Sequence, residues 1–466
     1  MKEILILDIL KKCNGTLING KEEQVCINFK TDTRKIEKGD TFVGIKGENF
    51  DGNLLYEKAL ENGATTCILQ DVNIKEDILK KYQDRNIVIV KDTIKAIGLL
   101  AKYKRSLFNI PVIGITGSVG KTSTKDIVAS VVSKKYNVLK TLGNLNSDIG
   151  LPLTLLGLKE EHEAMVIEMG MNHKGEIEYL SDILNPDISV ITNVGSSHIG
   201  NLGSRENILK AKLEILKGMK QGGTFIYNND NDMLNNNNEL FNEYQTLNYG
   251  IENDSNLVAS DIQIDSDGSN FNIKIKGKEY NVYVPVSGKH FVYNALCAIA
   301  VGLKLDISIE NIISGIKDFS LTKSRMEVKK LENGLVLVND SYNASYDSMK
   351  AALEFLGSFK DKKKIAVLGD MLELGEFSDE FHYNVGKSVS ANNIDVLVTV
   401  GNNSKKIVEG AVSKGMNIKN VYNVQNNDEA LNKLYNIITT DSVVLIKASN
   451  SMKFVEIYNE LIKKYN

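Results

Sequence analysis

The stretch GITGSVGKTS (114–123) constrains this chain more than any other. It follows an apolar run, PVIGIT, and leads into KTSTKDIVASVVSKKY, which patterns as a helix. A strand, a glycine-rich turn and a helix in that order let backbone N–H groups close around phosphate oxygens, backed by the positive end of the helix dipole. The glycines Gly114, Gly117 and Gly120 give a GxxGxxGKT spacing, with Ile115 where the commoner GxxxxGK[ST] pattern has its first glycine. Gly117, Ser118, Gly120 and Ser123 are expected to cradle phosphates, Lys121 to reach the two terminal ones, and Thr122 to ligate Mg²⁺ through its hydroxyl.

At 466 residues the chain is too long for one hydrophobic core. Residues 1–82 carry short strand and helix signals broken by polar turns, TDTR (31–34) and DTFVGIKGENFDGN (40–53), and residues 83–110 read as a linker. Residues 111–318 alternate β-branched runs (PVIGIT, AMVIEM, DISVIT, TFIYNN) with helical patterns, which predicts a doubly wound parallel sheet. The alternation restarts over 319–466 with LVLVND, IAVLGD, DVLVTVG and VVLIKAS, predicting a Rossmann-like domain. The expectation is an α/β protein of three domains, the N-terminal one smallest. The Asn-rich NNDNDMLNNNN (228–238) reads as a solvated loop or local insertion.

Several classes are excluded on composition. No apolar run approaches the roughly 18–20 residues of a membrane span, and MKEILILDILKKC lacks the apolar core of a signal peptide. A net charge of −3 provides no field for nucleic acid. Cys13, Cys26, Cys67 and Cys297 have no metal-ligand spacing, so reduced thiols in a cytoplasmic protein are expected. Only five arginines occur, Arg34, Arg85, Arg105, Arg205 and Arg325, and a retained arginine suits a forked oxyanion contact that lysine does not reproduce.

Three further polar groups draw attention. Glu168 ends AMVIE, the position of a carboxylate beside a P-loop threonine; His198 lies in NVGSSH, past DISVIT; Lys212 sits in KAKLEIL, on a predicted helix. Taken singly, residues like Glu168 and His198 are more often plain loop residues than ligands, and one like Lys212 is far more often a helix-surface lysine.

Read together, GITGSVGKTS, GNLNSDIGLPLTLL (143–156), VIEMGMNHKGEI (166–177), TNVGSSHIGNLGS (192–204), KAKLEI (210–215), GKHFVYNALCA (288–298), SRME (324–327), NDSYNAS (339–345) and GDMLELGEFS (369–378) resemble the ATP-dependent Mur ligases of peptidoglycan synthesis. GNLNSDIG, NDSYNAS and GDMLELG resemble the member that adds D-alanyl-D-alanine to UDP-N-acetylmuramoyl-tripeptide. The Ala-His-Thr-Pro and Asp-Asn-Pro-Arg runs typical of the ligase that adds the third residue are missing. The resemblance implies a monomeric cytoplasmic ligase with ATP and Mg²⁺ as cofactors, UDP-MurNAc-tripeptide and D-Ala-D-Ala as substrates, and an acyl phosphate intermediate. By the same resemblance, Thr122 and Glu168 hold one Mg²⁺, His198 helps hold a second, and Lys212 is carbamylated near it; Lys121, Glu168, His198 and Lys212 are the catalytic set. Arg325, Asp340 and Asn294 contact ATP. Thr33, Arg34 and Lys46 lie at the UDP moiety, Asn144 and Asn146 face the substrate, and Asn343 and Ala344 receive the dipeptide. His173, His290 and His382 fall in or after these motifs, where loop hydrogen bonding explains them equally well.

The chain departs from the family pattern at four places. Tyr346 stands where proline is usual, implying a freer dipeptide loop. KASNSM (447–452) has Ala448 for a glycine and Asn450 for an arginine, and Asn53 replaces a common histidine. The resemblance leaves open a paralogous ligase with another amine acceptor, or a nucleotide-binding protein that does not catalyse.

Overall fold

The computed structural model describes residues 2–265 and 267–466. Each region of the chain folds around its own sheet. The first contains β1 (Ile4–Leu5), β2 (Thr16–Asn19), β3 (Val25–Lys30), β4 (Asp40–Val43), β5 (Thr66–Leu69) and β6 (Asn86–Ile89), in the order β1-β3-β4-β5-β6-β2. Strands β3 to β6 run parallel, with β1 and β2 antiparallel at the two edges. The stretch 83–110 holds β6 and the helix Thr93–Ser106, capped by Asp92 accepting from the Lys95 amide. This helix touches both neighbours. The Cys13 thiol donates to the Ala96 carbonyl, and the buried Arg105 donates to the carbonyls of Leu184 (3.0 Å) and Phe108 (2.7 Å).

The second sheet comprises β7 (Val112–Thr116), β8 (Val138–Lys140), β9 (Ala164–Glu168), β10 (Ile188–Ile191), β11 (Thr224–Asn228), β12 (Gln245–Gly250), β13 (Leu257–Ile264), β14 (Ser269–Ile275) and β15 (Lys278–Val284), in the order β15-β14-β13-β12-β11-β10-β7-β9-β8. From β8 to β13 all pairs are parallel, as the alternation predicts; β14 and β15 add an antiparallel extension. Strands β7, β9 and β10 are buried along their whole length, consistent with their mainly apolar character in a sheet covered on both faces. The Asn-rich 228–238 is only partly a solvated loop: Asn228 and Asn229 are buried, and Asn231 caps the short helix Asp232–Asn235.

The third sheet has β16 (Glu327–Lys330), β17 (Val336–Asn339), β18 (Lys363–Gly369), β19 (Val396–Val400), β20 (Val421–Val424) and β21 (Ser442–Lys447), ordered β16-β17-β21-β18-β19-β20. All pairs are parallel except β16 with β17. Side chains alternate across it. Val338, Leu368 and Leu445 join the main core, whereas Leu337, Val367 and Val444 form a second core under the outer helices. The connection into this domain is pinned to the P-loop helix, where buried Asp126 accepts from Thr322 N (3.0 Å) and Oγ1 (2.8 Å). Among the described residues no helix is long and apolar enough to cross a membrane.

Candidate active site

From β7 the chain passes to β8 and β9 on one side and then to β10 on the other, which opens a crevice at the carboxyl ends of the strands. The P-loop fills it. Helix Lys121–Val132 starts directly after Gly120, and its first-turn amides face the crevice. Thr192 Oγ1 and Asn193 Nδ2 donate to the Val119 carbonyl (2.8 and 2.9 Å), Asn193 Oδ1 accepts from the Val119 amide (2.9 Å), and Ser118 Oγ accepts from the Gly195 amide (2.9 Å). Gly117 is required by close approach, since a Cβ there would lie 1.9 Å from Thr192 Oγ1. Gly117→Ala is accordingly expected to weaken ADP binding about tenfold or more, given the ~1–3 kcal/mol cost of overpacking. Calorimetric titration with ADP measures this, and an unchanged dissociation constant would mean the phosphates bind elsewhere.

The crevice widens into a cleft of ≈ 560 Å³ between the second and third sheets. Its walls include Ser118, Gly120, Lys121, Thr122, Ser123, Asn146, Glu168 and His198 from the central domain, with Asn294 from its last long helix. Arg325, Asp340, Asn343 and Ala344 enter from the C-terminal domain. Lys121 Nζ donates to the Gly117 carbonyl at 2.8 Å, and burial in the cleft floor lowers its pKa, against the attraction of Glu168. Glu168, 2% exposed, accepts from Thr122 Oγ1 (2.9 Å) and Asn146 Nδ2 (2.7 Å). Lys212 does not line the cleft. It is 1% exposed, its Nζ makes no hydrogen bond to any described residue, and burial together with the Lys121 charge holds its amine well below the usual lysine range.

The third sheet supplies the opposite wall. Arg325 Nη2 donates to Thr122 Oγ1 (3.2 Å), and its guanidinium stacks 3.7 Å from the Tyr342 ring centroid. Asp340 accepts from the Met326 amide (3.1 Å) and from Lys447 Nζ, which also donates to the Asn343 carbonyl (3.0 Å). Sequence reasoning passed over Lys447, although it ends β21 and the strand-end logic that found Glu168 applies to it equally. His198 Nδ1 lies 2.8 Å from Glu373 Oε2, and this hydrogen bond lowers the Glu373 pKa. His290 also lines the cleft, and burial pushes its imidazole down to about 4, so it is neutral near pH 7. His382, by contrast, is internal to the C-terminal domain: Nε2 accepts from the Met371 amide and Nδ1 donates to the Ser378 carbonyl.

Not every expected residue reaches the cleft. Thr33 is buried in a short turn. Arg34 pairs through two 2.9 Å contacts with Asp32, and Lys46 lies 3.9 Å from Asp71, all three in the N-terminal domain outside the cleft walls. Asn144 is exposed outside the walls, while Asn146 is inside. Tyr346 does not loosen its loop. It is the first residue of helix Tyr346–Gly357, and its ring stacks 5.2 Å from that of Phe381, so packing holds the turn where proline would hold it covalently. Asn450 Nδ2 donates to the Tyr342 carbonyl (2.9 Å), Ala448 is buried, and Asn53 Oδ1 accepts from the Gln70 amide (2.9 Å).

The donor set fits a nucleotide with Mg²⁺. Arg325 Nε and Asn294 Nδ2 are buried donors without partners among the described residues, and such groups call for acceptors. No group of three or more His, Cys, Asp or Glu able to hold a metal is assembled among the described residues. One carboxylate and one hydroxyl, with phosphate oxygens and water completing the shell, is the way Mg²⁺ is commonly bound.

Residues 28–105 match the Mur ligase family catalytic domain, 115–302 the Mur ligase middle domain, and 324–450 the Mur ligase glutamate ligase domain. The chain belongs to the Mur ligase family. It is 40% identical to the UDP-N-acetylmuramoyl-tripeptide–D-alanyl-D-alanine ligase of Bacillus subtilis (strain 168), with 98% of each chain covered. To the Escherichia coli (strain K12) ligase of the same name it is 33% identical, over 84% of this chain and 85% of that one. Among Mur ligase structures, MurF from Acinetobacter baumannii superimposes with a TM-score of 0.88 at 30% identity, covering 99% of both chains. MurF from Thermotoga maritima in complex with ADP gives 0.81 at 27% identity, covering 94% of this chain and 99% of that one.

Proposed function

We propose that this Mur ligase joins D-alanyl-D-alanine to UDP-N-acetylmuramoyl-tripeptide at the expense of ATP, making the UDP-linked pentapeptide precursor of peptidoglycan. The observation that carries the reading is one cleft in which Lys121 and the Thr122–Glu168 pair of one domain meet Arg325 of another. Similarity over nearly the full length to ligases with this name supports the choice of substrates.

In this reading the terminal carboxylate of the tripeptide attacks the γ-phosphorus of ATP, and ADP leaves. The dipeptide amine then attacks the acyl carbon, loses a proton, and the tetrahedral intermediate expels phosphate. The first step brings two anions together. Lys121 and Arg325 lie where they would offset that charge, in a site whose donors are already oriented. Mg²⁺, held by Thr122 and Glu168, with His198 and a carbamylated Lys212 at a second ion, would supply further charge neutralisation. Asn294, Asp340 and the neutral His290 would bind the nucleoside, with Gly117, Ser118, Gly120 and Ser123 on its phosphates. Asn144, Asn146, Asn343 and Ala344 would meet the peptide substrates, and Thr33, Arg34 and Lys46 the UDP group. Four free cysteines and ATP as co-substrate fit a reducing cytoplasm.

Phosphate release from ATP, measured with UDP-N-acetylmuramoyl-tripeptide and with or without D-Ala-D-Ala, tests the reading directly. The expected result is turnover only with both, and a UDP-pentapeptide by mass. Turnover with a different amine would reassign the acceptor, and ATP binding without turnover would overturn the ligase assignment.

A further inference from the structure

The loop Gly195–Gly200, which carries His198, is held from the opposite side of the cleft by two carboxylates that no part of the reaction above uses. Ser196 donates to Asp347 Oδ2 through its amide (2.8 Å) and its hydroxyl (2.9 Å). His198 Nδ1 lies 2.8 Å from Glu373 Oε2, and the Gly200 amide donates to the Glu373 carbonyl at 3.2 Å. These partners are 151, 175 and 173 residues apart in sequence and lie on different sheets' connections, so none of the contacts forms with the domains separated.

Backbone conformation on both sides is matched to the grip. His198 (φ 64°) and Glu373 (φ 65°) are both non-glycine residues in the left-handed region. Such geometry is unfavourable for a residue with a Cβ and persists where surrounding contacts over-determine it. At Gly200 a Cβ would lie 2.6 Å from the Glu373 carbonyl oxygen and 2.7 Å from the Gly375 amide nitrogen, so the two loops touch backbone to backbone. A lone exposed ion pair would contribute little. Here four hydrogen bonds fall within five residues.

We propose that Asp347 and Glu373 are positioning residues that latch the C-terminal domain onto loop 195–200 and thereby seat His198 at the reaction centre. With Glu373 accepting from the Nδ1–H, the Nε2 lone pair is the one left for the cleft that His198 lines. Closing the domains and aiming the imidazole then become one event, and chemistry waits for closure. The proposal rests on the ligase reading only for its kinetic arm.

The test compares wild type with the double variant D347N/E373Q and with G200A, checked for unchanged unfolding temperature. Small-angle scattering with saturating ADP and Mg²⁺ reads closure whatever the acceptor. Steady-state kinetics read chemistry. The latch predicts that wild type scatters as the closed form, whereas both variants have a larger radius of gyration. It also predicts kcat lower by about tenfold or more, the usual range for loss of a group that orients a ligand, with KM for ATP changed far less. Variants that close like wild type overturn the latch, whether or not they turn over, and open variants that retain wild-type kcat overturn the coupling of closure to His198. If wild type itself makes no pentapeptide, the ligase reading fails while the scattering comparison still decides the latch.

Discussion

Lys121→Ala is expected to lower kcat by about 10²–10³-fold or more, the loss typical of removing one preorganised electrostatic donor. Lys121 leads the P-loop helix, with Nζ resting on the Gly117 carbonyl and its charge felt by Glu168 on one side and Arg325 on the other. The loop amides that would hold phosphate are backbone groups and survive the change, so nucleotide affinity should fall much less than kcat. That separation is the diagnostic. Steady-state turnover alongside calorimetric ADP binding measures both, and a kcat within a few-fold of wild type would remove Lys121 from the reaction.

Lys212→Ala should be nearly inactive and partly recovered by acetate or formate. The reason lies in the burial of an amine that has no acceptor among the described residues and sits close enough to Lys121 to feel its charge. Burial makes an ammonium costly there and so favours the neutral amine, the form that attacks CO₂. Adding CO₂ to the amine nitrogen releases one proton and leaves a carbamate anion, which answers the Lys121 charge and can act as a carboxylate ligand. Short carboxylic acids would fill the same volume with the same charge. Labelling with ¹³C-bicarbonate should give a carbamate resonance in wild type that is missing in the variant. Full activity of Lys212→Ala without added acid would end the idea.

Much of the central domain was legible because its signals are local. Strands β7, β9 and β10 are mainly apolar, and each ends at, or is followed within a few residues by, a group that lines the cleft. Only its place at a strand end marks Glu168 in the sequence, and the structure puts it 2.9 Å from Thr122 Oγ1. The antiparallel β14–β15 extension went unread, since its strands, SNFNIKI and KEYNVYV, alternate polar and apolar residues without a crossover helix between them. Asn228 and Asn229 were hidden in a low-complexity run that composition alone assigns to solvent. Tyr346 misled for a different reason: its partner, Phe381, is remote in sequence.

By itself the sequence determined the phosphate loop, the alternation of strands and helices in the second and third domains, and the residue types at the strand ends. Those follow from periodicity and from turn chemistry within about ten residues, which act before any tertiary contact exists. Only the tertiary structure decided which of these groups meet. Arg325 reaches Thr122 across 203 residues, Lys447 reaches Asp340 across 107, and Glu373 reaches His198 across 175. The Lys447–Asp340 pair depends on β17 and β21 lying side by side in the third sheet, and the other two on how separately wound sheets face one another; neither is set by any short stretch of chain.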